Sequence, residues 1–276
     1  MERKLVKQGR NALTVTLPAK WLKAKRLKAG DSVDVIEKNT ELIIKTERAV
    51  AQKTVTLDLR DAERNMMFHI VRARYIEGYD TMILLHSNTK TVQDIAQGLI
   101  GVVLAEHSSS HSVLKSVIAT PEDTFDALLR RAAHLLVEET NTLLSVAEKK
   151  ATADDVRSVE HLLDTNLLYC MRYLNKYENI DHSYRYFLLC STIEEAGDYI
   201  KTIAKHIGRN KKLAQLLAET IDEYIICLFT KNFRKAFSVL RTARGSIATG
   251  TFVDGLVYSL VESLYNFLGY LVDEKV

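Results

Sequence analysis

Apolar and polar positions alternate in short runs near the start of the chain, and the period lengthens further along. Leu13-Thr14-Val15-Thr16-Leu17 alternates with the period of a strand, and Pro18 stands where the first turn of a short helix, Ala19 to Leu27, tolerates it. Ala29-Gly30-Asp31 then turns the chain. Val33-Asp34-Val35-Ile36 and Leu42-Ile43-Ile44-Lys45 predict two further strands, joined through Lys38-Asn39-Thr40 as a hairpin. About 47 residues with so few apolar positions cannot enclose an adequate core, so this head is expected to pair with a second copy.

A second pattern follows. Thr54 to Leu59 alternates as a strand, Asp61 to Glu77 has helical spacing and stops at Gly78, and Thr81 to Leu85 is a buried strand run. A helix over Thr91 to Leu104 and a strand over Val113 to Ala119 extend this to β-α-β-α-β before Pro121 breaks the chain. Gly98 and Gly101 do not make a phosphate loop and are expected to let the helix approach a neighbour. From there the spacing is helical throughout, with amphipathic segments near 123–149, 153–177, 183–208, 211–231, 233–246 and 251–273. Tyr169, Tyr173, Phe187, Tyr224, Phe237 and Phe267 fall on apolar stripes and read as core. The expected fold class is α+β in three parts: a head over 1–48, a small α/β module over 53–120 and an all-α body over 122–276.

Charge separates the head from the rest. Residues 1–50 hold twelve Lys or Arg against six acids, a net of +6, and the remaining residues hold 26 against 29, a net of −3. Nine of those cations fall in the first thirty residues, where Glu2 is the one acid. A basic head of this kind points to nucleic acid; a solvated basic face without a ligand is the alternative.

The run Lys7-x-Gly9, Leu13 to Pro18, Trp21-Leu22 and Leu27-x-x-Gly30-Asp31-x-Val33 resembles the AbrB/MazE/SpoVT family of swapped-hairpin DNA-binding domains. That resemblance implies an interleaved dimeric β-barrel whose basic side chains meet double-stranded DNA. It makes Lys7 and Arg10 the leading contacts, supported by Lys20, Lys23 and Arg26, with Arg3 and Lys4 beside them. Arginine can read guanine edges, whereas the lysines are expected to neutralise phosphates.

Two acidic pairs mark the body. Glu160-x-x-x-Asp164 and Glu194-x-x-x-Asp198 each set two carboxylates one turn apart on a helix face, at the flank of an apolar stripe. If the two helices form an antiparallel hairpin turning near residue 180, Glu160 meets Asp198 and Asp164 meets Glu194 within about 1.5 residues of the same height. Four carboxylates in one patch repel unless a cation or bases neutralise them. Oxygen ligation suits Mg, Ca, Mn or ferric Fe, and Zn where a His is near. Two solvated helix faces are the alternative.

Val159-Glu160-x-x-x-Asp164-x-x-Leu167-x-Tyr169 and Ser191-Thr192-Ile193-Glu194-x-x-Gly197-Asp198 with Ile203-Ala204 are similar to the acidic helix motifs of the PhoU phosphate-uptake regulators. The resemblance implies two three-helix bundles, metal at the acidic motifs and control of phosphate import. An AbrB-like head on a PhoU-like body is an arrangement associated with archaeal regulators. The last helix departs from the pattern, with Glu262-x-x-x-Asn266 opposite Lys231, Arg234 and Lys235. An ion pair of Glu262 with a Lys or Arg is the simpler expectation there.

Other chemistry leaves little trace. His107 and His111 in the Ser-rich stretch Glu106 to Ser112 offer two nitrogens to a metal, but a hydrated hairpin turn is the other reading. Gly245 to Gly250 lacks the lysine of a phosphate loop, and neither a nucleophile elbow nor a zinc-protease motif is present, so no enzyme is expected. Cys170, Cys190 and Cys227 lie in apolar stretches, as reduced thiols of a cytoplasmic protein would. No signal peptide or membrane-inserting segment is expected. The reading that follows is a dimeric transcriptional regulator with a sensor body. Its alternatives are a PhoU-type adaptor acting on a phosphate transporter or signalling protein, and an antitoxin-like DNA binder.

Overall fold

The computed structural model describes residues 2–10, 12–38, 41–45, 52–118, 123–177, 183–248 and 250–271. The chain divides into two compact units, Met1–Ala51 and Gln52–Val276. In the first, β1 (Val6–Gln8) pairs antiparallel with β2 (Ala12–Thr14), and β3 (Asp34–Lys38) with β4 (Glu41–Lys45). Between the two hairpins lies α1 (Ala19–Lys25), which starts behind Pro18, where the carbonyl is free to accept from Trp21 and Leu22. It stops at Arg26, whose φ of 53° is left-handed. The strand expected over 13–17 is thus shorter, and β1 is an addition. Asn39 and Thr40 of the expected turn lie outside the described residues.

Among the described side chains of this unit none is buried. Leu5, Val6, Leu13, Val15, Val35 and Leu42 are 44% to 69% exposed. Apolar residues this open do not form a core within one chain.

The second unit opens on a four-stranded sheet in the order β5-β6-β8-β7. Strand β5 (Thr54–Asp58) runs parallel to β6 (Thr81–Leu85), as the crossover through α2 (Arg64–Ile76) requires. After α3 (Thr89–Gln97) come β7 (Val102–His107) and β8 (His111–Ser116), an antiparallel hairpin whose β8 also pairs with β6. The helix expected over 91–104 is therefore divided. Gly98 and Gly101, the latter at φ 69°, turn the chain so that Val102-Val103-Leu104 joins the sheet. There β-branched residues pack on a pleat rather than crowd a helix. Gly98 does approach a neighbour, since a Cβ there would meet His161 Cε1 at 3.7 Å.

Among the described residues six helices complete the unit: α4 (Phe125–Ala147), α5 (Ala153–Lys176), α6 (Ser183–Ala204), α7 (Lys211–Phe229), α8 (Phe233–Ser246) and α9 (Phe252–Leu271). Each lies within the span expected from spacing. Thr152 and Asp155 close a capping box on α5, and Asn210 and Asn232 cap α7 and α8. α4, α5 and α6 pack on one another, α8 packs on α7 and α9, and the two sets meet through α4 on α7 and α6 on α9. Tyr169, Tyr173, Tyr224 and Phe267 are buried, and Phe187 and Phe237 pack partly buried against the core. The three cysteines are free and buried. Among the described residues no helix is long and apolar enough to cross a membrane.

The α/β part is fastened to α5 by a buried ion network. Arg172 is 1% exposed and donates to the carbonyls of Tyr75 and Tyr79 at 2.7 and 2.8 Å and to Asp80 Oδ1 at 3.2 Å. Lys176 pairs with the same Oδ1, and Asp80 Oδ2 accepts from the Lys53 backbone at 3.0 Å.

Candidate functional site

α2 packs across α5, and a cavity of about 910 Å³ opens between α2, α3, α5 and α6. Glu160 and Asp164 from α5 and Glu194 and Asp198 from α6 all line it. The two acidic pairs thus share one cavity, yet they are not left to repel. Lys201, one turn beyond Asp198 on α6, donates to Glu160 Oε1 at 2.8 Å and to Asp198 Oδ1 at 2.5 Å. Arg72 reaches over from α2 to Asp164 Oδ2 at 2.6 Å, while Asp164 Oδ1 is buried without a partner. Burial alone would lower the Lys201 ammonium, but the hydrogen bonds to Asp198 and Glu160 outweigh it and hold the group above its ordinary value. Glu194 is pushed up to about 7, by burial first and then by Asp198 and Asp164.

A fifth carboxylate stands behind these four. Glu139 of α4 is 0% exposed, and neither of its oxygens has a hydrogen-bond partner. It sits where α6 carries Gly197: a Cβ there would lie 3.1 Å from Glu139 Oε2 and 2.9 Å from Leu163 Cδ2. The missing side chain lets α6 close on α4 and α5 at the level of the acids. Burial, reinforced by Glu160, pushes the Glu139 carboxyl up to about 10. At neutral pH it holds its proton, which limits the charge the cluster must neutralise.

The donor set is oxygen-rich and, with its two orphaned buried groups, is chemically suited to a hard cation. His69 and His161 also line the cavity. In the present geometry Lys201 and Arg72 act as the counter-charges. Among the described residues no group of three or more His, Cys, Asp or Glu side chains is set at metal-ligating positions.

The head presents a different chemistry. Arg3 and Lys4 precede β1, Lys7 lies in β1 opposite Leu13, and Arg10 is in the turn that follows Gly9 at φ 78°. Lys20 and Lys23 are on α1 and Arg26 is its C-cap. All seven are exposed. Over residues 6–52 the chain is similar to the family described as antidote-toxin recognition MazE, bacterial antitoxin. No curated protein and no solved structure matches the chain significantly. The MazE-like head therefore carries the functional information in these comparisons.

Two further expectations bear on the rest of the unit. His107 Nδ1 lies 2.8 Å from Ser112 Oγ, which is also 2.8 Å from the buried His86 Nε2, and Gln93 is 3.2 Å from His107 Nε2. The Ser-rich stretch is thus the hairpin of β7 and β8, with a His-Ser-His hydrogen-bond chain behind it. Glu262 does form an ion pair, with Arg244 at 2.7 Å, while Lys235 pairs with Glu223. Spacing alone missed Glu139, Lys201 and Arg72. Glu139 had a visible signal, since it interrupts the apolar stripe of α4 between Leu136 and Leu143. Arg72 had none, being 92 residues from its partner.

Proposed function

We propose that the protein is a dimeric, double-stranded-DNA-binding transcriptional regulator whose helical body senses a cation, and that phosphate uptake is what it regulates. The observation that carries the DNA part is the MazE similarity over 6–52, on a segment rich in exposed basic side chains. Pairing of heads is supported by the apolar side chains they expose. The phosphate part draws on the PhoU-like acidic motifs.

Residues 1–276 should bind duplex DNA with an affinity that falls steeply as salt rises, through release of counterions from the phosphates. Replacing Lys7 and Arg10 together by Ala should weaken binding by about 1–3 kcal/mol if either reads a base, and flatten the salt slope if both meet phosphate. Titrations at several salt concentrations decide. Unchanged affinity and slope would remove these residues from the contact surface.

In the sensor, Glu160, Asp164, Glu194 and Asp198 would hold the cation, with Glu139 behind them. A divalent or ferric ion (Mg, Mn, Fe, Ca or Zn) supplies positive charge that ties α5 to α6 and stabilises the folded state by mass action. Changing Asp164 and Asp198 to Asn removes two charges at constant size and leaves Arg72 without its ionised partner. The wild type should melt at lower temperature in chelator, whereas the double variant should not respond. Elemental analysis that finds no metal, together with melting curves unmoved by any of the five ions, would leave the cluster to be neutralised by side chains such as Lys201 and Arg72.

The family description favours one second reading, an antitoxin-like DNA binder. It requires a toxin that co-purifies with the chain. A body that instead binds a phosphate transporter or its signalling proteins would make the chain an adaptor.

A further inference from the structure

α5 holds α2 at two levels, and the two differ in how deeply they are seated. Near the C-terminal end of α2, Arg172 donates to the carbonyl of Tyr75 at 2.7 Å, and its side chain is 1% exposed. At the level of the acids, Arg72 of α2 meets Asp164 Oδ2 at 2.6 Å with its side chain 25% exposed. Lys201 makes the corresponding tie between α6 and α5. Its ammonium donates to Glu160 on α5 and to Asp198 on its own helix, and its side chain is 27% exposed.

Two buried groups in this cluster are unsatisfied. Glu139 has no hydrogen-bond partner on either oxygen, and Asp164 Oδ1 has none. An ion that takes up Asp164 Oδ1 shares that carboxylate with Arg72, and one that draws in Glu160 and Asp198 meets the Lys201 ammonium. Positive charges brought this close repel, so the ion and the two side chains compete for one set of oxygens.

Both side chains are able to leave. Lysine carries its charge on a flexible four-carbon stem, and Lys201 already reaches solvent. Arg72 has a second seat on its own helix. Its guanidinium carbon lies 5.7 Å from the centroid of the Phe68 ring, which Arg64 also flanks at 5.0 Å. That contact keeps part of the attraction Arg72 gives up at Asp164.

We propose that the cation enters by exchange. It takes Glu160, Asp164 and Asp198 from Lys201 and Arg72, tightens α5 on α6, and releases the cavity-facing part of α2 from α5 while the Arg172 anchor stays closed. Exchange presupposes the cation reading above and adds which bonds the ion breaks and which helix responds.

Hydrogen exchange of the full chain, followed by mass spectrometry with and without each of Mg, Ca, Mn, Zn and ferric ions, reads these helices together, and calorimetry reports which ions bind. With an ion that binds, protection should rise over 160–164 and 194–201. Over 64–72 it should fall by about tenfold, the worth of one charge-assisted hydrogen bond. Arg72→Gln should show the faster α2 exchange without any ion and no further fall when the ion is added. Arg74→Gln, on a side chain that pairs with Glu77 instead, should respond as the wild type does. Lys201→Gln should bind the ion on the order of tenfold more tightly, because a competing unit charge is gone. An ion that binds while α2 keeps or gains protection, or a Lys201→Gln variant that binds no more tightly than wild type, would overturn exchange and leave the cation reading standing. Absence of binding by all five ions would overturn both. If Lys201→Gln fails to fold, the wild type and Arg72→Gln still decide.

Discussion

Replacing Glu139 by Gln should flatten the pH dependence of stability in the helical unit and leave the variant more stable than wild type above neutral pH. The folded chain keeps the Glu139 proton up to about pH 10, whereas the unfolded chain gives it up near the ordinary value of 4.5. Between those limits the folded state binds more protons than the unfolded one, so stability falls as pH rises, by roughly 1.4 kcal/mol per pH unit. From pH 5 to pH 8 that is on the order of 4 kcal/mol, a decline absent from the variant, whose amide does not titrate. Near pH 5 both forms leave a neutral polar group buried, and the two proteins should agree within about 1 kcal/mol. Denaturant titrations at pH 5, 6.5 and 8 measure the difference. Parallel curves for the two proteins would mean that Glu139 is ionised or solvated in the folded state.

Asp80→Asn should cause the other large effect, a loss of roughly 3–5 kcal/mol. The substitution keeps the shape of the side chain but strands two cations, Arg172 at 1% and Lys176 at 6% side-chain exposure, without a counter-charge. In a unit of this size the melting temperature should fall by on the order of 10 °C. Burial lowers the Lys176 pKa, and its hydrogen bond to Asp80 opposes that shift. Adding Lys176→Met to Asp80→Asn should therefore recover part of the loss, since one unpaired charge is gone. Absence of any recovery would place the effect in the hydrogen bond to the Lys53 backbone instead. The location of the network also matters: Asp80 immediately precedes β6 and Arg172 is on α5, so weakening their bond should lower protection of both regions in hydrogen exchange together.

The six long helices were legible because each has an apolar stripe of sustained period and a polar or glycine stop. Short elements were less so. Three-residue β1 carries too little pattern to register, and Val102 to Leu104 continues the apolar spacing of α3 even though Gly101 has turned the chain. The geometry of an antiparallel hairpin placed the acids of α5 and α6 at matching heights, and the structure sets them around one cavity. What spacing does not convey is which charges from elsewhere come to meet them. Arg72 arrives from a helix of the α/β part, and Glu139 from a third helix brought close by a glycine on the second. Such contacts depend on tertiary packing and have no local signature beyond an acid standing on an apolar stripe.

The exposed apolar side chains of the head have a consequence for the proposed regulator as a gauge of its own abundance. If Leu5, Val6, Leu13, Val15, Val35 and Leu42 are covered only when two heads meet, folding of the reader and its assembly are a single event. Well below the pairing constant, a twofold dilution then removes about three quarters of the competent heads, by mass action. Occupancy of an operator would respond to the square of the amount of protein in the cell, so a modest change in synthesis or turnover would act as a switch without any effector at all.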